Sequence, residues 1–311
     1  MRILCYGSQG WIGQQMTQLA IEKGHTIING QVRLENYNDL FTEISKIKPD
    51  NIFSSTGRTH GVTPDGRVYS AIDYLEVPGN LDINIRDNLI GPLNLAKISK
   101  NFGIHCTYIG TGCIYEYDDI HKQPIESSLD IPIDCNGYIG YSENDILNFK
   151  KSSYSTIKGW ADIQMRQYEN IVLNIRVRMP ISCNDSSRDL VTKLTHYAHI
   201  CSIPNSMTVL PEILPIILHM MENNITGTFN TCNPGVISHN QLLNMYKLYV
   251  DPSFDWENFT FDEQTDLLKT GRSNNYLNTS KLESYCNSNN LTLTPIFTCV
   301  KNVLQKRGNI S

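Results

Sequence analysis

No stretch of about 18 apolar residues occurs in the chain, no run of lysine and arginine exceeds two residues, and no Cys-x-x-Cys pair is present. The first absence excludes a membrane-spanning helix. The opening "MRILCYGSQG" enters a strand at once and lacks the apolar core of a secretory leader, so the expectation is a soluble cytoplasmic protein with no membrane partner. The second absence, with a net charge of −5, removes the footprint that nucleic-acid phosphates require. The third argues against a zinc site: nine scattered cysteines, an odd number, suit reduced thiols better than a disulfide framework, and no metal is expected. Internal repeats, low-complexity tracts and Gly/Ser linkers are also lacking.

What is present is ordinary globular material, with 40% hydrophobic and 18% charged residues in 311. That length suits one large domain or a nucleotide domain with a smaller partner. "RILCY" reads as a strand, the next segment as a helix with Ile12, Met16, Leu19 and Ala20 at helical spacing, "HTIING" as a strand, "NDLFTEISKIKP" as a helix and "NIFSS" as a third strand. The alternation continues through helical "LDINIRDNLIGPLNLAKISKNFG", strand "IHCTYIG", helical "YSTIKGWADIQMRQY" and strand "IVLNIRVR". It predicts an α/β fold, a Rossmann-type doubly wound parallel sheet that extends to about residue 178. Beyond "RMPIS" the pattern loosens into short helices, weak strands near "SMTVL" and "GTFNTC", and helical "ISHNQLLNMYKLYV". The expected organisation is a dinucleotide-binding domain over 1–178 and a smaller, interleaved, mainly substrate-binding lobe over 179–311.

Gly7, Gly10 and Gly13 stand between the first strand and the first helix. Without side chains there, backbone amides approach a pyrophosphate at the helix N-terminus. After the second strand, where NAD-binding versions carry an acidic residue, the chain runs through "NGQVRLEN". Arg33 favours a 2′-phosphate, hence NADPH, while Glu35 keeps NADH open.

Tyr154 and Lys158 are four apart on a predicted helix and share a face. Ketone reduction needs a proton for the oxygen as hydride reaches carbon, and a phenol of pKa ~10 yields one near neutrality only when a cation such as Lys158 lowers that value. Thr111, at the end of a strand, can hydrogen-bond the same oxygen.

Taken in order, "YGSQGWIG", "IRDN", "TGCIYEYD", "RVRMPIS", "IPNSMT", "NPGVISHN", "DPSF" and "RSNN" resemble the bifunctional 3,5-epimerase/4-reductases of nucleotide-rhamnose synthesis, extended short-chain dehydrogenase/reductases, over nearly the whole chain. The resemblance implies a nucleoside-diphospho-4-keto-6-deoxyglucose, UDP favoured over dTDP, inverted at C3 and C5 and then reduced at C4 with NADPH. A separate 4,6-dehydratase would supply it, and a homodimer is allowed. Cys113 and Lys193 match the epimerase pair; Thr111, Tyr154 and Lys158 match the reductase centre. Gln9, Trp11 and Ile12 match the cofactor turn, Asn88 the helix asparagine that supports the site, and Met179 and Pro180 the backbone beside the nicotinamide. Arg272, Asn274 and Asn275 match a polar loop toward the sugar nucleotide. Rival readings are a 4-ketoreductase without epimerase activity, which would not need Cys113 or Lys193, and a non-catalytic nucleotide-binding subunit. The chain departs from the plant pattern in long loops over 57–80 and 118–153.

Overall fold

In the computed structural model, which describes residues 1–268 and 270–309, alternation of strand and helix resolves into one parallel sheet. Its strands are β1 (Arg2–Tyr6), β2 (Thr26–Asn29), β3 (Asn51–Ser54), β6 (His105–Thr111), β7 (Val172–Val177) and β8 (Gly227–Asn230), in the order β2-β1-β3-β6-β7-β8. A separate antiparallel hairpin, β4 (Gly61–Val62) with β5 (Val68–Tyr69), projects from the loop after β3. The helices are α1 (Trp11–Glu22), α2 (Tyr37–Ile47), α3 (Leu81–Ile85), α4 (Gly91–Phe102), α5 (Ser153–Met165), α6 (Leu190–Leu194), α7 (Leu210–Glu222), α8 (His239–Tyr249), α9 (Phe261–Leu267), α10 (Ser280–Ser288) and α11 (Ile296–Gly308).

Strand periodicity explains the two covered faces. Ile3 and Cys5 of β1 pack with α1, α7 and α10, whereas Leu4 and Tyr6 pack with α2, α4 and α5. A third apolar cluster joins α6, α8 and α11 beyond the sheet. Because β2 and β3 lie on opposite sides of β1, the connection reverses there, and the crevice at the carboxyl ends of β1 and β3 is the place where such sheets bind ligands.

The sheet does not stop at 178. β8, the expected weak strand in "GTFNTC", pairs in parallel with β7 as the sixth strand of the main sheet. All four of its residues are buried, as in β3, β6 and β7, which fits a sheet strand with both faces covered. "SMTVL" forms instead an isolated bridge, Ile181 to Val209. No helix among the described residues is long and apolar enough to cross a membrane.

Candidate active site

The site begins at the glycine turn. Gly7 takes φ +85°, a conformation that favours glycine. The amide of Gly10 donates to the Gly7 carbonyl at 2.9 Å, and a Cβ on Gly13 would stand 2.1 Å from that same oxygen. Gly10 caps α1 without any side-chain bond to its first turn, so the first-turn amides have no side-chain acceptor of their own. A dinucleotide pyrophosphate fits this cradle. Gln9 is exposed, while Trp11 and Ile12 turn inward against the core under β1.

Arg33 lies in the connection between β2 and α2. Its Nε meets Glu35 at 2.5 Å and its Nη2 meets Asp87 at 2.9 Å; Arg58 and Arg86 reach the same Asp87 carboxylate at 2.9 and 2.8 Å. Burial opposes ionisation of Asp87, but the hydrogen bonds from Arg86 and Arg58 win and hold its carboxyl below the usual range. Three guanidiniums against two carboxylates leave the cluster one positive charge in excess. Asn88 lies on a π-bulge, Arg86–Ile90, between α3 and α4. Its amide donates to the Arg58 carbonyl and its oxygen accepts from the Arg58 amide, both at 2.9 Å, so it pins the loop after β3.

At the end of β6, Thr111 Oγ1 accepts from the Cys113 amide at 3.1 Å, which folds the thiol back over the strand end. Tyr154, half-buried at the start of α5, comes to the same place. Burial and the Cys113 sulfur push its phenol up, and a hydrogen bond with Thr111 opposes them. Lys158 is 5% exposed and donates from Nζ to the Tyr108 hydroxyl, 4.6 Å from the centre of that ring. Burial lowers its pKa to about 8 against the pull of Asp162. The expected depression of Tyr154 by Lys158 is therefore not met: the ammonium bonds to Tyr108, and desolvation dominates the phenol.

Beside Cys113 stands Arg178, 1% exposed, whose Nη1 donates to Sγ at 3.2 Å. Met179 follows at φ +41°, a left-handed conformation for a residue with a side chain, and turns the chain into Pro180. Lys193, on α6, is half-buried; burial and Arg188 move its pKa down while Asp189 moves it up. Burial first, and then the nearby charges of Arg188, Arg58 and Lys193, lower His60 as well, which keeps its imidazole neutral among these cations.

No protein-family model matches the chain. The crystal structure of the UDP-rhamnose synthase from Acanthamoeba polyphaga mimivirus superposes with a TM-score of 0.89 at 42% identity, over 98% of this chain and 99% of that one. A bifunctional dTDP-4-dehydrorhamnose 3,5-epimerase/dTDP-4-dehydrorhamnose reductase of Arabidopsis thaliana is 39% identical over 282 residues, 90% of this chain and 86% of its own length. The chain belongs to the nucleotide-rhamnose 3,5-epimerase/4-reductase family. It is an enzyme of rhamnose sugar-nucleotide synthesis. In a trifunctional plant relative, UDP-glucose 4,6-dehydratase/UDP-4-keto-6-deoxy-D-glucose 3,5-epimerase/UDP-4-keto-L-rhamnose-reductase of the same plant, a 38% identical region covers 91% of this chain and 39% of that protein.

Within this epimerase/reductase, the polar loop near the C-terminus is inward rather than open. Asn275 is fully buried and donates to the carbonyls of Gly112 and Tyr115 at 3.0 Å, bracing the turn that carries Cys113. The Asn274 side-chain oxygen accepts from Asn205, and Arg272 pairs with Asp73 at 2.7 Å. The long loop over 118–153 is tied down by Tyr141, which stacks between Tyr115 and His121 and donates to Asp118 at 2.7 Å. Sequence reasoning missed Arg178, His60 and Arg188. For Arg178 a signal existed: "NIRVRMP" places charges at alternate positions of a strand otherwise built for burial on both faces.

Proposed function

We propose that the protein inverts C3 and C5 of a nucleoside-diphospho-4-keto-6-deoxyglucose and then reduces its C4 ketone with NADPH to give the L-rhamnose sugar nucleotide. The observation that carries this reading is the convergence of Thr111, Cys113 and Tyr154 on one strand end. A reductase alone has use for the first and third; a thiol between them suits proton traffic at carbons next to the ketone. The UDP form is favoured because the mimivirus relative is a UDP-rhamnose synthase. NADPH is favoured over NADH because the cluster of Arg33, Arg58 and Arg86 has positive charge to spare for a 2′-phosphate. Residues 1–178 would hold the cofactor and the reacting side chains, and 179–311 mainly the sugar nucleotide. A 4,6-dehydratase must act first, since it creates the ketone.

A nicotinamide cofactor, held at the turn of Gly7, Gly10 and Gly13, would supply the hydride for C4. Thr111 and Tyr154 hydrogen-bond the C4 oxygen, so that negative charge arriving there is held, and the C3 and C5 hydrogens become acidic. Lys193, pushed toward its neutral amine, and Cys113 exchange protons with those carbons; inversion needs a proton to leave one face and another to arrive on the other. Tyr154 finally protonates the C4 oxygen. Lys158, held on the Tyr108 hydroxyl, keeps a protonated group behind the site.

The test follows the sugar by NMR in deuterated water. Deuterium should enter C3 and C5 before NADPH is added, and Cys113→Ala should abolish that entry while a pre-epimerised sugar is still reduced. No entry in the unmodified protein, with normal reduction of the pre-epimerised sugar, would leave a 4-ketoreductase only.

A further inference from the structure

We propose that Arg178 is the charge partner of Cys113: a positioning residue whose guanidinium holds the sulfur in place and balances the negative charge it carries during epimerisation. This rests on the epimerase role of Cys113 given above. Arg178 is 1% exposed, and every acceptor around it is neutral. Nη2 donates to the Ser273 carbonyl at 2.6 Å and to the Asn205 side-chain oxygen, Nη1 to Ser273 Oγ at 3.3 Å and to Cys113 Sγ at 3.2 Å. Its Nε has no hydrogen-bond partner, and among the described residues no carboxylate forms an ion pair with it. Buried charges are normally paired, because an uncompensated one costs several kcal/mol. The other two buried guanidiniums obey this rule, Arg176 with Asp162 at 2.6 Å and Arg307 with Asp189 at 2.7 Å. The anion missing from Arg178 is one the site itself generates, on the sulfur that the guanidinium touches.

The proton balance is simple. When Cys113 gives its S–H proton to the enolate carbon, the C–H bond forms, the ketone is restored and the negative charge passes from substrate oxygen to sulfur. In the reverse step the thiolate takes a carbon-bound proton and the charge returns to the oxygen. Arg178 faces the charged sulfur in both directions and itself exchanges nothing. Tyr154 and Cys232 also lie in the field of the sulfur. Neither brings a positive charge.

The experiment reads the alkylation rate of Cys113 by iodoacetamide at one neutral pH, followed on the Cys113 peptide by mass spectrometry, beside the rate of deuterium entry into the sugar. Arg178→Gln should slow both by about tenfold or more, and Arg178→Lys, which keeps the charge, should recover alkylation to within about threefold of wild type. Asn205→Asp leaves Arg178 intact but gives it a carboxylate, and should slow alkylation in the same direction, which covers the case in which Arg178→Gln does not fold. Unchanged alkylation in Asn205→Asp and in a folded Arg178→Gln overturns the proposal, as does an equal loss in the Gln and Lys variants. Failure of the epimerase reading looks different: Cys113→Ala would then retain deuterium entry.

Discussion

Arg176 and Arg178 lie two residues apart along one strand line, both essentially inaccessible, and the fold treats them in opposite ways. Arg176 is gripped in a fork by Asp162, Nε at 2.9 Å and Nη2 at 2.6 Å, and spends its remaining donors on Asn230 and on the carbonyls of Ser142 and Glu143. It thereby ties β7, α5, the residue at the end of β8 and the long loop before α5 into one body. Arg178 receives only neutral acceptors and a thiol. A cation neutralised within the fold builds structure; a cation left unneutralised waits for charge delivered by the reaction. Other cations grade between these poles. Lys193, Arg188 and Arg58 lie in the field of His60, whose pKa is lowered by burial first and by these cations second.

The sharpest way to break this comparison is to remove the anion from the structural pole. Asp162→Asn leaves Arg176 buried without its carboxylate and should cost about 3–5 kcal/mol. The measure is the urea midpoint at unchanged m value. A variant as stable as the wild type would show that Arg176 needs no counter-charge, and the contrast with Arg178 would lose its meaning.

A smaller effect sharpens it through Lys158, a buried cation whose nearest partner is the neutral hydroxyl of Tyr108. Burial lowers its pKa from 10.5 in the open chain to about 8 in the fold. Between those two values the unfolded chain binds a proton that the folded protein has released, so stability rises with pH there; the penalty is complete below the folded value and gone above the unfolded one. Lys158→Met has no such group. The stability of wild type minus that of Lys158→Met should climb by about 3 kcal/mol from the lower to the upper end of the window. Tyrosine ionisations, common to both proteins, cancel. A flat difference would mean that Lys158 is compensated after all and belongs with Arg176.

These charges also mark where the sequence was readable. Backbone-determined features were legible: the glycine turn is dictated by φ and by the room a Cβ would take, and the βα alternation follows from hydrophobic period. So was the grouping of Thr111, Cys113 and Tyr154, because a strand end and the first turn of a helix on the same sheet edge must converge. Asn275 was legible only as a polar residue; its burial behind the Gly112 carbonyl depends on a chain segment 163 positions away folding over the turn. The burial signal of "NIRVRMP" marks both arginines, but what sets Arg178 apart was hidden for a similar reason. Two arginines in "RVR" look alike until Asp162 is found beside one and Cys113 beside the other, and both partners arrive from elsewhere in the chain. β8 was read as a weak strand, but its place as the sixth strand of the main sheet escaped, because it follows β7 only after a long stretch of short helices and loops that hides the pairing.

The mildest test concerns Arg33, which stands midway between the poles. Its guanidinium is 55% exposed and already meets Glu35 and Asp87, but Asp87 is shared with Arg58 and Arg86, so the cluster as a whole keeps charge for a phosphate. Arg33→Ala should therefore weaken NADPH binding by about tenfold, roughly 1.4 kcal/mol, and NADH binding by less than about twofold. Nicotinamide fluorescence titration measures both without turnover. The loss is limited because the other two arginines stay in place, and because an exposed charge contributes less than a buried one. Equal weakening of the two cofactors would instead assign Arg33 to holding the loop through Asp87, a neutralised cation of the Arg176 kind, and would leave NADPH preference to Arg58 and Arg86.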